Sequence, residues 1–325
     1  MPSKVRSASH AGSWYTDDGS QLNSELSQWL QDVRPADETF PIKGCKAVIA
    51  PHAGYSYSGP TAAWAYKAID TTGIRRVFVL GPSHHVYLDG CALSGCTEYA
   101  TPVGNLPLDL ETIQELKDTG KFATFSLSDD EAEHSLEMHL PYVRKILEGK
   151  DIVIVPIVVG SISTQKEATF GSLLAPYLAK EDTLFVISSD FCHWGTRFNY
   201  TFYYPEPSPS NAQGLRLSRS VAPSSDHPIH ESIRRLDHEA TAILTVPPGT
   251  AAEAHEKFAK YLTETKNTIC GRHPIGVLLG ALVALEGKSE NPLKPTIKWV
   301  RYAQSSECET IRDSSVSYAS AWVKF

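Results

Sequence analysis

The sequence lacks several features, and each absence excludes a class of protein. No stretch of about eighteen uncharged apolar residues occurs, and the first fifteen residues hold no continuous apolar segment, so neither a membrane-spanning helix nor a signal peptide is expected. The 30 Lys and Arg are outnumbered by 37 Asp and Glu and are not concentrated in any one segment. This balance argues against nucleic-acid partners and anionic membrane surfaces. We expect a soluble intracellular protein, located in the cytoplasm, with the nucleus as a second compartment.

Cysteine pairs with a recognisable spacing are also lacking. In a long intracellular chain this distribution favours free thiols over a disulfide framework, and it gives no support to a zinc site made of cysteines alone. Most of these thiols are expected in the core, and only those with titratable neighbours are candidates for chemistry. The six cysteines are Cys45, Cys91, Cys96, Cys192, Cys270 and Cys308.

Short apolar runs separated by helical periodicity predict an α/β fold. The runs read as strands buried on both faces, and their alternation with helices predicts a mainly parallel sheet flanked by helices. The last two segments alternate and predict an antiparallel extension of that sheet. The predicted parallel strands are 46–50, 76–80, 151–160 and 183–188, and the antiparallel ones are 296–304 and 314–325. The predicted helices are 21–33, 59–69, 108–120, 163–180, 230–244, 251–265 and 275–285.

One segment has a different character. Residues 204–229 are rich in Pro and Ser and show no periodicity. We predict that they form a surface insertion whose removal costs little stability.

Polar residues follow three of the predicted strands at their carboxyl ends. His52 follows the first strand, His84 the second, and Asp190 and His193 follow the strand at 183–188. Ligands of open parallel sheets bind in the crevice beyond these ends. The sequence therefore predicts that these side chains, although distant along the chain, converge on one site.

Two further segments fit that site. Cys270 stands just before the predicted helix at 275–285, whose positive dipole end is expected to lower the pKa of the thiol. Arg272 could add positive charge there or pair with a carboxylate or phosphate. The other segment, at 129–142, precedes a helix expected to start near Pro141. Its polar residues, which could either belong to the site or cap a helix, are Glu133, His134, Glu137 and His139.

An ordinary hydrogen-bonded role is the default for any single histidine. Convergence at three strand ends favours metal binding for His52, His84 and Cys270, whereas for His134 both roles stay open. The neighbours His85 and Cys192 are expected to point away from the site, because adjacent side chains at a strand end diverge. For His10 a structural hydrogen bond is expected.

Several long motifs together resemble the Memo family. They are SHAGSWY (9–15), APHAGYSYSG (50–59), LGPSHHV (80–86), EHSLEMHLPY (133–142), SSDFCHWG (188–195) and NTICGRHPIGVLL (267–279). The resemblance covers most of the chain and implies one domain over residues 1–325, with a fold similar to the class III extradiol dioxygenases. It also implies one metal ion, iron(II) or copper, on His52, His84 and Cys270. Asp190, His193 and His134 would then be the catalytic neighbours.

The implied ligand set departs from that of the extradiol enzymes. Those enzymes hold Fe(II) with two histidines and one carboxylate, whereas here Cys270 takes the third place. A thiolate makes the site softer, which admits copper as well as iron and argues against ring cleavage. The resemblance further implies roles in cell motility and in metal and redox homeostasis, and recognition of phosphotyrosine-containing receptor segments.

Three classes of function are consistent with these residues. The first is a metal-dependent redox protein that acts on dioxygen or a small substrate, with Asp190 or His193 moving protons. The second is a signalling scaffold that keeps a dioxygenase-like cleft for binding only. The third is a cysteine hydrolase with Cys270, His193 and Asp190 as nucleophile, base and orienting group.

Overall fold

The computed structural model describes residues 4–208, 213–287 and 292–325. Its strands are β1 (Val5–Arg6), β2 (Cys45–Ala50), β3 (Arg76–Pro82), β4 (Cys91–Leu93), β5 (Glu98–Tyr99), β6 (Leu106–Pro107), β7 (Phe122–Thr124), β8 (Val153–Val159), β9 (Thr183–Ser188), β10 (His193–Trp194), β11 (Phe202–Tyr203), β12 (Leu215–Arg216), β13 (Thr296–Gln304) and β14 (Ser315–Lys324). Its helices are α1 (Gly19–Asp32), α2 (Tyr55–Lys67), α3 (Leu110–Asp118), α4 (Leu127–Ala132), α5 (His134–Glu137), α6 (Leu140–Ile146), α7 (Thr164–Leu178), α8 (Ile229–Ile243), α9 (Ala251–Thr265) and α10 (Arg272–Glu286).

The centre of the molecule is a mainly parallel sheet. Strands β2, β9, β3 and β8 lie side by side in that order and run parallel, with Ala50 opposite Ser188 and Leu80 opposite Ile187. Their Val, Ile, Leu and Phe side chains are buried on both faces, as expected for a parallel sheet covered by helices. The predicted α/β fold with a mainly parallel central sheet is confirmed.

Antiparallel strands extend this sheet at both ends. Strand β14 pairs with β2 and also with β13, which confirms the predicted extension. At the other end the short strand β4 pairs antiparallel with β8. Strand β4 was not predicted, because three residues are too few for a clear alternating pattern. Two groups of helices pack on the sheet, with α7 and α10 against β9, and α2 against β2 and β14.

One helix boundary was predicted wrongly, and the error concerns the site. The helix expected over 59–69 begins at Tyr55, and Pro60 lies inside it rather than in its first turn. Gly54 is the N-cap residue, so the helix starts directly after the loop that carries His52. Proline is frequent in the first turn of helices, and this preference predicts a later helix start than the one observed.

The segment 204–229 is anchored to the rest of the protein at several points. Strand β12 pairs with β11, and Leu217 and His227 are buried. The amide of Tyr204 donates to Ser232 Oγ at 2.8 Å, and Tyr203 Oη donates to the carbonyl of His227. Residues 209–212 of this segment lie outside the described residues, and the surface insertion stays a prediction. Among the residues that the structure describes, no helix is long and apolar enough to cross a membrane.

Candidate metal centre

The carboxyl ends of three adjacent strands form one edge of the site. His52 lies two residues after β2, His84 two residues after β3, and Asp190 two residues after β9. A loop before α10 brings Cys270 to the same place. One ligand atom from each of His52, His84 and Cys270 lies within 4.8 Å of the other two. The structure thus brings together the residues that the sequence proposed as metal ligands.

The contacts among these three side chains are close. Cys270 Sγ lies 3.2 Å from His52 Nε2, and the His52 and His84 ring centroids are 5.2 Å apart. Glycine is required beside the cysteine, because a Cβ at Gly271 would lie 2.3 Å from the carbonyl oxygen of Ser188. The Gly271 amide donates to Ser189 Oγ at 3.1 Å. The cysteine loop is therefore held directly against the end of β9.

Burial controls the protonation of this centre. Burial, and then the neighbouring His84, hold the pKa of His52 well below its ordinary value, so the ring is neutral and can donate a lone pair to a metal. Burial, and then the Asp190 carboxylate, raise the pKa of the Cys270 thiol well above its ordinary value. The expected lowering of the thiol pKa by the α10 dipole is wrong, because desolvation outweighs the effect of the helix end.

Asp190 ties two of the strand ends together. Its Oδ1 accepts hydrogen bonds from the amides of His52 at 2.8 Å and Ala53 at 3.3 Å. The Asp190 amide in turn donates to Cys270 Sγ at 3.3 Å. Burial raises the pKa of this carboxyl above its ordinary value. In this arrangement Asp190 fixes the loops that carry His52 and Cys270.

His193 lies at the same edge with one ring nitrogen occupied. Its Nδ1 is 2.9 Å from the carbonyl oxygen of Phe191 and 3.1 Å from that of Thr268. Carbonyl oxygens only accept hydrogen bonds, so Nδ1 carries a proton, and in the neutral ring the lone pair is on Nε2. His193 Nε2 is therefore available to accept a proton.

His134 packs against the histidine ligands by ring contacts. Its ring stacks on that of His84 with centroids 4.3 Å apart and lies 5.5 Å from that of His52. The indole of Trp14 covers it at 4.3 Å. Burial, and then the adjacent His84, lower the pKa of His134 to about 3. His134 is thus a neutral wall of the site.

A second group of potential ligands shares His84 with the first and comprises His84, Glu133 and His134. Glu133 already accepts His84 Nδ1 at 2.8 Å, the His84 amide at 2.6 Å and the Ser135 amide at 2.9 Å. Burial would raise the pKa of Glu133, but these hydrogen bonds lower it to about 2. Because its carboxylate is already used in these hydrogen bonds, Glu133 orients His84 for the first group of ligands and does not form a second metal site.

The remaining candidates of the 129–142 segment have structural partners. Glu137 accepts hydrogen bonds from Arg6 at 2.6 Å and Tyr15 at 2.8 Å, and its carboxylate also contacts the His10 ring at 2.8 Å. His139 is fully buried, with Nδ1 2.7 Å from Tyr66 Oη. The structural hydrogen bond expected for His10 is thus present.

Sequence reasoning missed two residues of the site. Ser188 holds the His52 ring, and Trp14 covers His134. For Glu133 the sequence left a site role and a helix cap open, and the structure shows both, because its carboxylate accepts His84 Nδ1 and the Ser135 amide at the start of α5. Cys192 is fully buried, as expected. His85 is exposed, but its ring centroid lies 6.0 Å from that of His134, so it stays beside the site rather than pointing away from it. Arg272 is exposed and donates to its neighbour His273 at 3.2 Å rather than to a carboxylate.

A cavity of about 590 Å³ opens beside the centre. Trp14 and Phe198 line the cavity. The Trp14 ring contacts that of His134, and the Phe198 ring centroid lies 5.3 Å from that of His193. Its other walls include Tyr57, Arg197, Ser306 and Tyr318, and Arg197 is the charged residue among those that line it. The cavity is large enough for a small molecule or one side chain of a peptide.

The hydrolase arrangement expected as an alternative is wrong. Cys270 Sγ contacts the His52 ring, and the described hydrogen bonds of His193 Nδ1 go to carbonyl oxygens. Asp190 Oδ1 accepts from backbone amides. The chain therefore does not orient His193 with Asp190 as a nucleophile–base–carboxylate triad would require.

The fold and the site define an α/β protein with a candidate metal centre of two histidines and one cysteine at the carboxyl edge of its sheet. A family model described as Memo-like protein matches residues 6–322. The chain belongs to the Memo family, which confirms the resemblance found in its motifs.

Individual relatives match along almost the whole chain. Protein MEMO1 of Xenopus tropicalis is 46% identical over 316 residues, covering 97% of this chain and 95% of that protein. Protein MEMO1 of Homo sapiens is 45% identical with the same coverage. Protein memo-1 homolog of Caenorhabditis elegans is 40% identical, covering 97% and 81%. Among solved structures, the uncharacterized protein JW3007 from Escherichia coli K12 aligns over 83% of this chain and 98% of that chain, with a TM-score of 0.46 and 14% identity.

Proposed function

We propose that this protein binds one metal ion, iron(II) or copper, through His52, His84 and Cys270, and that it is a redox protein. The observation that carries the proposal is the convergence of these three donors within 4.8 Å of one another. They come from distant parts of the chain, and two of them are imidazoles whose lone pairs suit iron and copper.

The chemistry of the donors fits such an ion. A thiolate is a soft ligand that favours copper(I) and accepts iron, and it takes the place that a carboxylate occupies in extradiol enzymes. Because burial raises the pKa of the Cys270 thiol, the thiolate needs a cation beside it to form. We therefore expect metal binding to release a proton and to weaken at acid pH.

The neighbouring residues would supply proton handling and access. Iron(II) or copper(I) held by this donor set would supply one-electron chemistry toward dioxygen. His193 Nε2 would accept or return protons, because Nδ1 is held by two carbonyl oxygens. Asp190 would keep the loops of His52 and Cys270 in place, and the cavity beside Trp14 and Phe198 would admit a small substrate.

We propose for this chain the cellular role that the family resemblance implies, in cell motility signalling and in metal and redox homeostasis, in the cytoplasm or also the nucleus. Membership in the Memo family supports this role. The proposal of redox chemistry does not depend on this cellular role, because the redox proposal rests on the donor set.

A second candidate function is a signalling scaffold without turnover. The cavity favours it, since aromatic walls, serine hydroxyls and the cation Arg197 suit a phosphotyrosine side chain. Tyr57, at 61% exposure, would lie at its mouth. On this proposal the cleft would bind a phosphotyrosine-containing segment of a receptor or signalling protein.

Metal analysis of protein prepared without tags or chelators tests the first function. We expect about one iron or copper per chain and, with a reductant, oxygen uptake or superoxide above the level of free metal. Protein that binds neither metal would refute the proposal. Binding of a phosphotyrosine peptide that is weakened in Arg197→Gln, without oxygen uptake, would support the scaffold instead.

A further inference from the structure

The tautomer of His52 follows from the hydrogen bonds of Ser188. Ser188 Oγ lies 2.7 Å from the carbonyl oxygen of Ser135, which can only accept, so the single hydroxyl hydrogen of Ser188 points there. His52 Nδ1 lies 2.6 Å from the same Oγ and must therefore be the donor. Nδ1 then carries the ring proton. The lone pair is left on Nε2, the atom that lies 3.2 Å from Cys270 Sγ.

The tautomer of His84 follows from Glu133 in the same way. The Glu133 carboxylate is almost fully buried and accepts the His84 backbone amide through Oε2 at 2.6 Å and the Ser135 amide through Oε1 at 2.9 Å. Its Oε1 also lies 2.8 Å from His84 Nδ1, and an ionised carboxylate can only accept. His84 Nδ1 therefore carries a proton, and in the neutral ring the lone pair is on Nε2.

Both constraints originate in one short segment at the start of α5. Glu133 holds His84 directly, and the carbonyl of Ser135 holds His52 through the Ser188 hydroxyl. Ser135 Oγ donates to the carbonyl of Pro82 at 2.7 Å, which fixes the segment to the end of β3. A Cβ at Gly81 would lie 2.5 Å from Ser135 Oγ, so the approach is as close as glycine allows.

We propose that the segment Glu133–Ser135 is a positioning element that selects the tautomers of both ligand histidines and presents their Nε2 atoms toward Cys270. The inference rests on the proposed metal function and deepens it. In a free imidazole either nitrogen can carry the proton, and a ring with the proton on Nε2 cannot bind a metal through that atom. Groups that fix a ligand histidine in this way typically change metal affinity by about 10- to 100-fold.

Nitrogen-15 NMR of the metal-free protein tests the tautomers directly. Long-range correlations from ring carbons to Nδ1 and Nε2 distinguish the two tautomers of each histidine. We expect His52 and His84 both to be protonated on Nδ1 in the wild type. Protonation of either ring on Nε2 would overturn the proposal, whether or not the protein binds a metal.

Crossed variants separate positioning from a general loss of structure. Ser188→Ala should give His52 a mixture of tautomers and leave His84 unchanged, whereas Glu133→Ala should affect His84 and leave His52 in place. Ser188→Thr, which keeps the hydroxyl, should restore the His52 spectrum. Glu133→Gln keeps a carbonyl oxygen that accepts Nδ1–H, so it should keep the wild-type His84 spectrum, and loss of the tautomer there would contradict the role given to this hydrogen bond.

Copper(I) affinity, measured against a competing chelator, supplies the second readout. Ser188→Ala and Glu133→Ala are each expected to weaken binding by about 10- to 100-fold. Wild-type affinity in both variants would overturn the positioning role. Failure of the proposed metal function would give a different result. The wild type would then show His52 and His84 both protonated on Nδ1, but it would not bind copper.

Discussion

Cys270 Sγ lies 3.2 Å from His52 Nε2, although 218 positions separate the two residues along the chain. Strand β2 carries His52 to the edge of the sheet, and the loop before α10 brings the thiol to it. Because the two donors meet only in the folded chain, a metal ion bound there should stabilise the fold by an amount that depends on its concentration and affinity.

Replacing the thiol should remove most of the metal affinity. Cys270→Ser is expected to lower the affinity for iron(II) or copper(I) by at least about 100-fold, because a serine hydroxyl resists the deprotonation that makes thiolate a good ligand. Cys192→Ser is the matched control, since that thiol is fully buried and lies outside the ligand group. Titration against a competing chelator measures both variants. Equal affinities in wild type and Cys270→Ser would refute the ligand assignment.

His193 should affect turnover more than metal binding. His193→Gln is expected to lower reductant-driven oxygen uptake by about 10²-fold or more, the usual contribution of a positioned acid or base. Its metal content should stay near the wild-type level, because His193 is not among the three proposed ligands. Oxygen uptake at the wild-type rate in His193→Gln would show that the residue moves no proton in the slow step.

The metal-free protein should lose stability on mild acidification. Burial lowers the pKa of His139 to about 3, and burial followed by His84 does the same for His134, against ordinary values of 6.5. The unfolded chain therefore binds more protons, so stability is complete above about pH 6.5 and falls as the pH drops toward 3. By pH 5 the loss is about 2 kcal/mol for each fully shielded histidine.

Urea unfolding at pH 7.5, 6 and 5 in the presence of a chelator measures this loss. His139→Gln should flatten the slope, and the exposed His85→Asn should leave it unchanged. A wild-type free energy of unfolding that is constant between pH 7.5 and 5 would contradict the assignment of neutral buried histidines.

Substitutions within the segment 204–229 measure how much its packing contributes to the free energy of unfolding. Leu217 is 3% exposed, so Leu217→Ala should lower the free energy of unfolding by about 2 to 5 kcal/mol, the range for buried leucines. Val221 is 39% exposed and serves as the control, with an expected change below about 0.5 kcal/mol. If Leu217→Ala is as stable as the control, the segment is the peripheral insertion that its composition suggested.

The sheet and the convergence of its polar ends were predictable from sequence for a physical reason. Strands buried on both faces need continuous apolar runs, and parallel strands bring their carboxyl ends to one edge. His52, His84 and Asp190 follow such runs directly, so their common position followed from the pattern alone. Cys270 was assigned to the site because it lies just before a long apolar helix.

What the sequence did not reveal depends on packing between distant segments. Glu133 is an ordinary helix-capping candidate until its carboxylate is seen on His84. Trp14 lies in an N-terminal loop that reaches the site because His10 contacts Glu137. The raised pKa of Cys270 was missed because a local rule about helix ends carries no information on burial.

The central claim is that one metal ion is bound by His52, His84 and Cys270. The most direct measurement is an anomalous difference map of crystals grown anaerobically with iron(II) or copper(I), recorded on both sides of the absorption edge of the metal. We predict a single peak within bonding distance of His52 Nε2, His84 Nε2 and Cys270 Sγ, and no peak in crystals of Cys270→Ser. A peak elsewhere, or no peak in fully loaded wild-type crystals, would contradict it.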